Sequence, residues 1–76
     1  MKLTEAQISI MQEDISSEII RLLMEDMNYS MEDAFSIWYN SDTFERMQNQ
    51  QTGLYYQSSG YVYSFLLNEI QTGIVA

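Results

Sequence analysis

Three pairs of neighbouring carboxylates are the side chains best suited to acid–base chemistry in this sequence. They are Glu13 and Asp14, Glu25 and Asp26, and Glu32 and Asp33. Two carboxylates that flank a scissile bond can act as its acid and base, as they do in glycoside hydrolysis. Adjacent residues of a helix, however, point about 100° apart, so the two members of a pair would not face one substrate. We interpret the three pairs as solvated helix faces and helix caps.

The chain contains no histidine and no cysteine, and its one lysine is Lys2. A serine nucleophile therefore has no obvious base beside it, and the commonest ligands of transition metals are missing. No calcium loop, glycine-rich phosphate loop or metal-ligand spacing is present in the sequence. The sequence predicts a protein that is not an enzyme and that carries no metal and no cofactor.

The charge of the chain is strongly acidic, because eleven Asp and Glu residues face only Lys2, Arg21 and Arg46, for a net charge of −8. Nucleic-acid binding draws most of its affinity from lysine and arginine on phosphates, and anionic membrane surfaces also attract basic segments. We therefore expect neither nucleic acid nor membrane as a partner. The acidic surface is explained first by solubility, and a basic protein partner is favoured only weakly.

Apolar residues recur every three or four positions between Thr4 and Met27, which is typical of one face of an α-helix. Thr4 with Gln7 fits a capping box at its start, and Ser30 and Ser41 are suitable caps for later helices. We predict helices near residues 5–27, 31–40, 42–48 and 60–71. The predicted fold class is all-α, a small bundle of three to four helices with a long first helix, in a single domain covering 1–76.

The segment from Leu54 to Ile70 is open to two interpretations. Its tyrosines have high strand propensity and flank a possible hairpin turn at Ser58, Ser59 and Gly60. Val62, Leu66 and Ile70, in contrast, repeat every four residues as a helix requires. The sequence favours the helix, preceded by an extended arm at 54–57, and the hairpin stays open as the alternative.

The predicted core consists of apolar residues from every predicted helix. We expect nine of them to be largely buried, namely Ile15, Ile19, Leu22, Leu23, Phe35, Trp38, Phe44, Leu66 and Ile70.

Ile20, Met24 and Met27 lie to one side of the main stripe of the first helix and widen its apolar arc. A helix with so wide an arc is usually covered on two sides, and a chain of 76 residues without disulfide or metal has little stability to spare. We therefore expect a homodimer, or an obligate partner in its place, with the second half of the first helix in the interface; the alternative is that the last helix covers this arc within one chain. Tyrosine is enriched at protein interfaces, so the candidate interface residues are Ile20, Met24, Met27, Tyr55, Tyr56 and Tyr61.

A motif of the form Ala-x-x-x-aromatic-Tyr-Asn-Ser-x-Thr-aromatic runs from Ala34 to Phe44. Together with Thr52–Tyr55 and Tyr61–Tyr63 it resembles a family of small bacterial proteins of unknown function, over about residues 22–70. The resemblance implies a bacterial cytoplasmic protein and supplies no activity. Without the resemblance, the polar segment 40–43 is explained by side chains that bond the local backbone at a helix-to-helix corner.

The first residues lack the apolar run of a signal peptide, and no stretch is long and apolar enough to span a bilayer, so we expect a cytoplasmic protein. The predicted function is a non-enzymatic protein–protein interaction module, either homo-oligomeric or a small adaptor or neutralising partner. The alternative is an acidic subunit or inhibitor that mimics a polyanion against a basic protein.

Overall fold

The computed structural model describes residues 2–73, and within them the chain forms four α-helices and no strand. The predicted all-α class with a long first helix is confirmed, and the hairpin alternative is wrong. Two short 3-10 turns connect the third helix to the fourth. The helices are α1 (Glu5–Asp26), α2 (Met31–Tyr39), α3 (Asp42–Gln48) and α4 (Ser59–Thr72).

Side-chain caps set the start of each helix, because the first N–H groups of a helix have no partner within it. At α1 the predicted capping box is present: Gln7 N–H donates to Thr4 Oγ1 at 3.1 Å, and Thr4 N–H donates to Gln7 Oε1 at 2.8 Å. At the start of each of the other three helices, a serine hydroxyl accepts one backbone N–H from the first turn. These serines are Ser30, Ser41 and Ser58.

The connection between α3 and α4 is not the extended arm that we predicted for residues 54–57. It consists of two 3-10 turns, Gln50–Thr52 and Leu54–Tyr56, joined at Gly53 with φ +71°. The Thr52 hydroxyl donates to the Arg46 carbonyl at 2.6 Å and holds the first turn against α3. The left-handed residue then redirects the chain so that Leu54 is buried. The physical reason for the error is that local bonds at Thr52 and Gly53 outweigh the strand propensity of the tyrosines that follow.

The core lies where α1 packs against α2 and α4. Five of the nine predicted core residues are buried, and Leu22, Phe44 and Ile70 are half-buried and pack against them. Met47, Val62 and Tyr63 join the core from α3 and α4. The buried five are Ile15, Ile19, Leu23, Trp38 and Leu66.

Phe35 is the one predicted core residue that is exposed. Ala34 and Trp38, four positions apart on α2, are fully buried and define the side of the helix that faces the core. Phe35 follows Ala34 by one residue, so its side chain leaves the helix about 100° further round. It therefore lies at the edge of the contact between α1 and α2 instead of beneath it.

The corner between α2 and α3 is built by local hydrogen bonds, as the sequence predicted for residues 40–43. The Ser41 hydroxyl donates to the Trp38 carbonyl at 2.6 Å and accepts from Phe44 N–H at 3.0 Å. The Asn40 side chain donates to the Ser36 carbonyl at 2.9 Å. The bond from Phe44 N–H satisfies a donor that the start of α3 leaves without a helical partner, and the two side-chain bonds to α2 carbonyls add to the backbone bonds that end α2.

Glu69 of α4 completes this corner from across the fold. Its carboxylate accepts from the N–H groups of Asp42 and Thr43, each at 2.9 Å, and from the Thr43 hydroxyl at 2.7 Å. Partial burial alone would raise the pKa of Glu69, but these three bonds outweigh burial and hold that pKa below its ordinary value. The ionised carboxylate thus ties α4 to the start of α3.

Candidate functional site

An apolar groove of about 460 Å³ lies between α1 and α2 on the face of the molecule that no described residue covers. Its walls are one stripe of each helix. On α1 the lining positions include 13, 17, 20 and 24, and on α2 they are 31, 35 and 39, so both sets follow helical spacing. Five lining side chains are apolar or aromatic, namely Ile20, Met24, Met31, Phe35 and Tyr39.

The α2 side of the groove is the more exposed one. Met31 is 56% exposed, Phe35 46% and Tyr39 43%. Opposite them, Ile20 is buried and Met24 half-buried, and both also pack in the core. The groove thus has a floor fixed by core packing and one wall of large apolar side chains that remain open to solvent. A concave site lined by large apolar side chains is a candidate binding surface.

A chain of ring contacts links the exposed wall to the core. Phe35 lies 5.4 Å from Tyr39, Tyr39 lies 4.9 Å from Phe44, and Phe44 lies 5.3 Å from Trp38, measured between ring centroids. The two pairs that involve Phe44 are edge-to-face, a favoured geometry for aromatic rings. Because Trp38 is fully buried, the exposed rings of Phe35 and Tyr39 are anchored through their neighbours and present a preformed surface.

Charged side chains of α1 border the groove. Arg21 donates to Glu18 at 2.7 Å and to Glu25 one turn further on, so that one cation bridges two carboxylates. The hydrogen bond and the charge of Arg21 hold the pKa of Glu18 below its ordinary value, and Glu18 and Glu25 raise the pKa of Arg21 in return. One positive and two negative charges leave this triad with a net charge of −1, and Glu13 adds a second negative charge to the border.

The six residues predicted as an interface differ in their surroundings. Ile20 and Met24 line the groove, whereas Met27 is half-buried against the core. Tyr56 is exposed and stands 4.8 Å from the half-buried Tyr55, and Tyr61 is exposed and meets Phe65 edge-to-face. The tyrosines thus form two separate ring pairs at the start of α4 and just before it.

Sequence reasoning missed the α2 wall, Met31, Phe35 and Tyr39. The signal was available, because α2 carries apolar residues at 31, 34, 35, 38 and 39, an arc as wide as the one noted on α1. Of this arc, the predicted core includes only Phe35 and Trp38. The structure divides it, with Ala34 and Trp38 facing inward and the other three facing the groove.

Within residues 2–73 no three acidic side chains come close enough together to hold a metal ion. Over the same residues, no helix is both long and apolar enough to cross a bilayer. The groove is therefore the surface on which a function is best argued.

Comparisons with known proteins give no match: no family model, no curated protein and no solved structure matches the chain. The resemblance of residues 22–70 to a family of small bacterial proteins therefore stays a prediction, and the function is argued from the geometry of the groove.

Proposed function

We propose that the protein is a non-enzymatic protein–protein interaction module whose α1–α2 groove receives the apolar face of an α-helix from another protein. The observation that carries the proposal is the exposed wall of Met31, Phe35 and Tyr39 above a floor that the core already fixes. An amphipathic helix laid into an apolar groove is a recurrent mode of peptide recognition.

The dimensions of the groove suit a short helix. Its α1 lining runs from Glu13 to Glu25, which at 1.5 Å per residue is about 18 Å. Three turns of a partner helix have that length and present apolar side chains at positions i, i+4 and i+7 to the floor. Methionines at positions 24 and 31 adapt to partner side chains because their unbranched side chains are flexible.

The first test is a pair of matched substitutions at exposed apolar residues. Phe35→Gln removes the centre of the groove wall, and Ile10→Gln removes a side chain that is 58% exposed and lies outside the groove. Binders are selected from a displayed library of 18-residue helical peptides, and their affinities are measured by fluorescence anisotropy. We expect Phe35→Gln to weaken binding at least tenfold, about 1.4 kcal/mol, and Ile10→Gln to leave it unchanged.

The outcome that contradicts the proposal is equally definite. If the selected peptides bind both variants as tightly as the parent protein, the groove is not the binding surface. Circular dichroism of each variant controls for the fold, and we expect both to retain the helical signal because neither side chain is buried.

A homodimer is the second candidate, and the same exposed wall favours it, since a second copy would cover the wall by a closed two-fold contact. The charge of the chain opposes it, because two copies at −8 each would bring together a total charge of −16. Sedimentation equilibrium distinguishes the two candidates.

A further inference from the structure

We infer that the helix received by the groove is basic at both ends, with lysine or arginine flanking its apolar stripe at a separation of about three helical turns. The inference rests on the proposed function and adds the chemistry of the partner. It follows from where the charges of the border lie along α1, from the overall charge of the chain, and from the apolar floor between the charges.

The carboxylates mark the two ends of the groove. Glu13 is the first lining residue of α1 and Glu25 the last, twelve positions later. Both side chains are exposed, and between them the α1 lining consists of Ser17, Ile20, Arg21 and Met24. A helix that covers the apolar centre therefore passes one acidic group at each end.

Arg21 does not cancel this pattern. It bridges Glu18 and Glu25, so its charge is already met by two carboxylates and the triad remains negative. A partner carboxylate near that end would face the excess negative charge of the triad, whereas a partner lysine or arginine would compensate it. Like charges brought together at an interface disfavour the wrong partner.

The whole chain adds a longer-range attraction. A net charge of −8 on 76 residues draws basic partners toward the surface and speeds their association at low ionic strength. The same field repels a second copy of this chain, which favours a different protein as the partner.

The apolar wall of the groove distinguishes this inference from polyanion mimicry. A polyanion mimic binds mainly through charge, and screening by salt weakens such a complex throughout. Here Phe35, Tyr39 and Met31 supply apolar contact that salt does not screen. Binding should therefore depend on the groove wall and on charge at the same time.

The test uses the full chain and a displayed library of 18-residue helical peptides. The library has leucine fixed at i, i+4 and i+7, and its two flanks are randomised among lysine, glutamine and glutamate. We expect lysine to be enriched over glutamine at both flanks by at least threefold after selection. The affinities of a synthetic peptide with the selected sequence and of its Lys→Gln version are then measured at 50 mM and 300 mM NaCl. We expect salt to weaken the lysine peptide about tenfold and the glutamine peptide little.

Two charge reversals locate the effect on the protein. Glu13→Lys and Glu45→Lys each change the net charge from −8 to −6 by replacing one negative charge with one positive charge, but only Glu13 borders the groove. We expect Glu13→Lys to weaken the lysine peptide several-fold more than Glu45→Lys does. Equal effects of the two variants would overturn the placement of the basic flanks over the ends of the groove.

The three remaining outcomes keep the two proposals distinguishable. Peptides that lose affinity with Phe35→Gln but show no lysine enrichment overturn the basic flanks and leave the interaction module standing. Lysine-rich peptides whose affinity does not change in Phe35→Gln indicate a polyanion mimic and overturn both proposals. A selection that gives no peptide dependent on Phe35 removes the proposed function itself.

Discussion

Trp38 and Glu69 stabilise the fold in different ways. Trp38 is fully buried and contacts Phe44, yet its indole N–H finds no hydrogen-bond partner among the described residues. A buried unpaired donor costs about 1–3 kcal/mol, so Trp38 stabilises the fold by packing alone. Glu69 acts in the opposite manner, since its contribution comes entirely from the three hydrogen bonds that its charge strengthens.

Glu69 makes stability depend on pH. Because its folded-state pKa lies below the ordinary value of 4.5, its contribution is fully present above that value and is lost as pH falls through the folded-state pKa. We expect Glu69→Gln to lower the free energy of unfolding by about 1 kcal/mol at pH 7, and the difference from the parent protein to shrink below pH 4.5. Urea unfolding across this pH range measures it.

Glu13→Gln is the matched control, because it removes an exposed carboxylate that forms no such corner. If both variants lower the free energy of unfolding by the same amount at pH 7, the bonds from Asp42 and Thr43 to Glu69 contribute nothing beyond the effect of removing one negative charge.

At the scale of elements, caps and turns determine where each helix begins and ends. Asn28 adopts φ +58° after α1, and Gly73 adopts φ +75° after α4, so both helices end in the left-handed conformation that commonly terminates helices. Gly53 adopts the same left-handed conformation, with φ +71°, between the two 3-10 turns. Asn28 and Gly53 thus set the direction of the chain between α1 and α2 and between the two 3-10 turns.

Two glycines of the chain should respond in opposite directions to the same substitution. Gly53→Ala forces a side chain into a left-handed conformation and should destabilise the protein by about 1 kcal/mol. Gly60→Ala lies in the first turn of α4 with no atom within 4 Å of the added carbon, and should stabilise by about 0.5 kcal/mol. Thermal unfolding followed by circular dichroism measures both changes, and a stabilised Gly53→Ala would refute the role of that residue as a turn.

At the scale of the whole molecule, one side of the α1–α2 pair is covered by other parts of residues 2–73, and none of these residues covers the other side. The covered side holds Ile19, Leu23 and Trp38, and the open side holds the groove.

The oligomeric state and its response to salt follow from this arrangement. If the partner is a different protein, sedimentation equilibrium should show a monomer at micromolar concentration in both 50 mM and 500 mM NaCl. A homodimer through the groove would instead tighten with salt, because screening weakens the repulsion between two acidic chains. Loss of such a dimer in Phe35→Gln, but not in Ile10→Gln, would establish the second candidate in place of the first.

The features that the sequence determined by itself are local ones. A helix begins where a side chain can accept from the next turn, as at Thr4, Ser30 and Ser41, and α1 and α4 are each followed by a residue in the left-handed region. Apolar spacing then identifies which residues share a face. These relations span fewer than five residues, so they are legible in the sequence and gave the helices to within one residue of their ends.

The tertiary structure decided which apolar residues are covered. The wide arcs on α1 and α2 were both visible in the sequence, but periodicity is the same for a face that meets the core and for one that meets a partner. Only the packing of α2 against α1 placed Ala34 inside and Phe35 in the groove. Glu69 could not be foreseen either, because its bonds to residues 42 and 43 cross 26 and 27 positions of sequence and depend on the folded geometry of two helices.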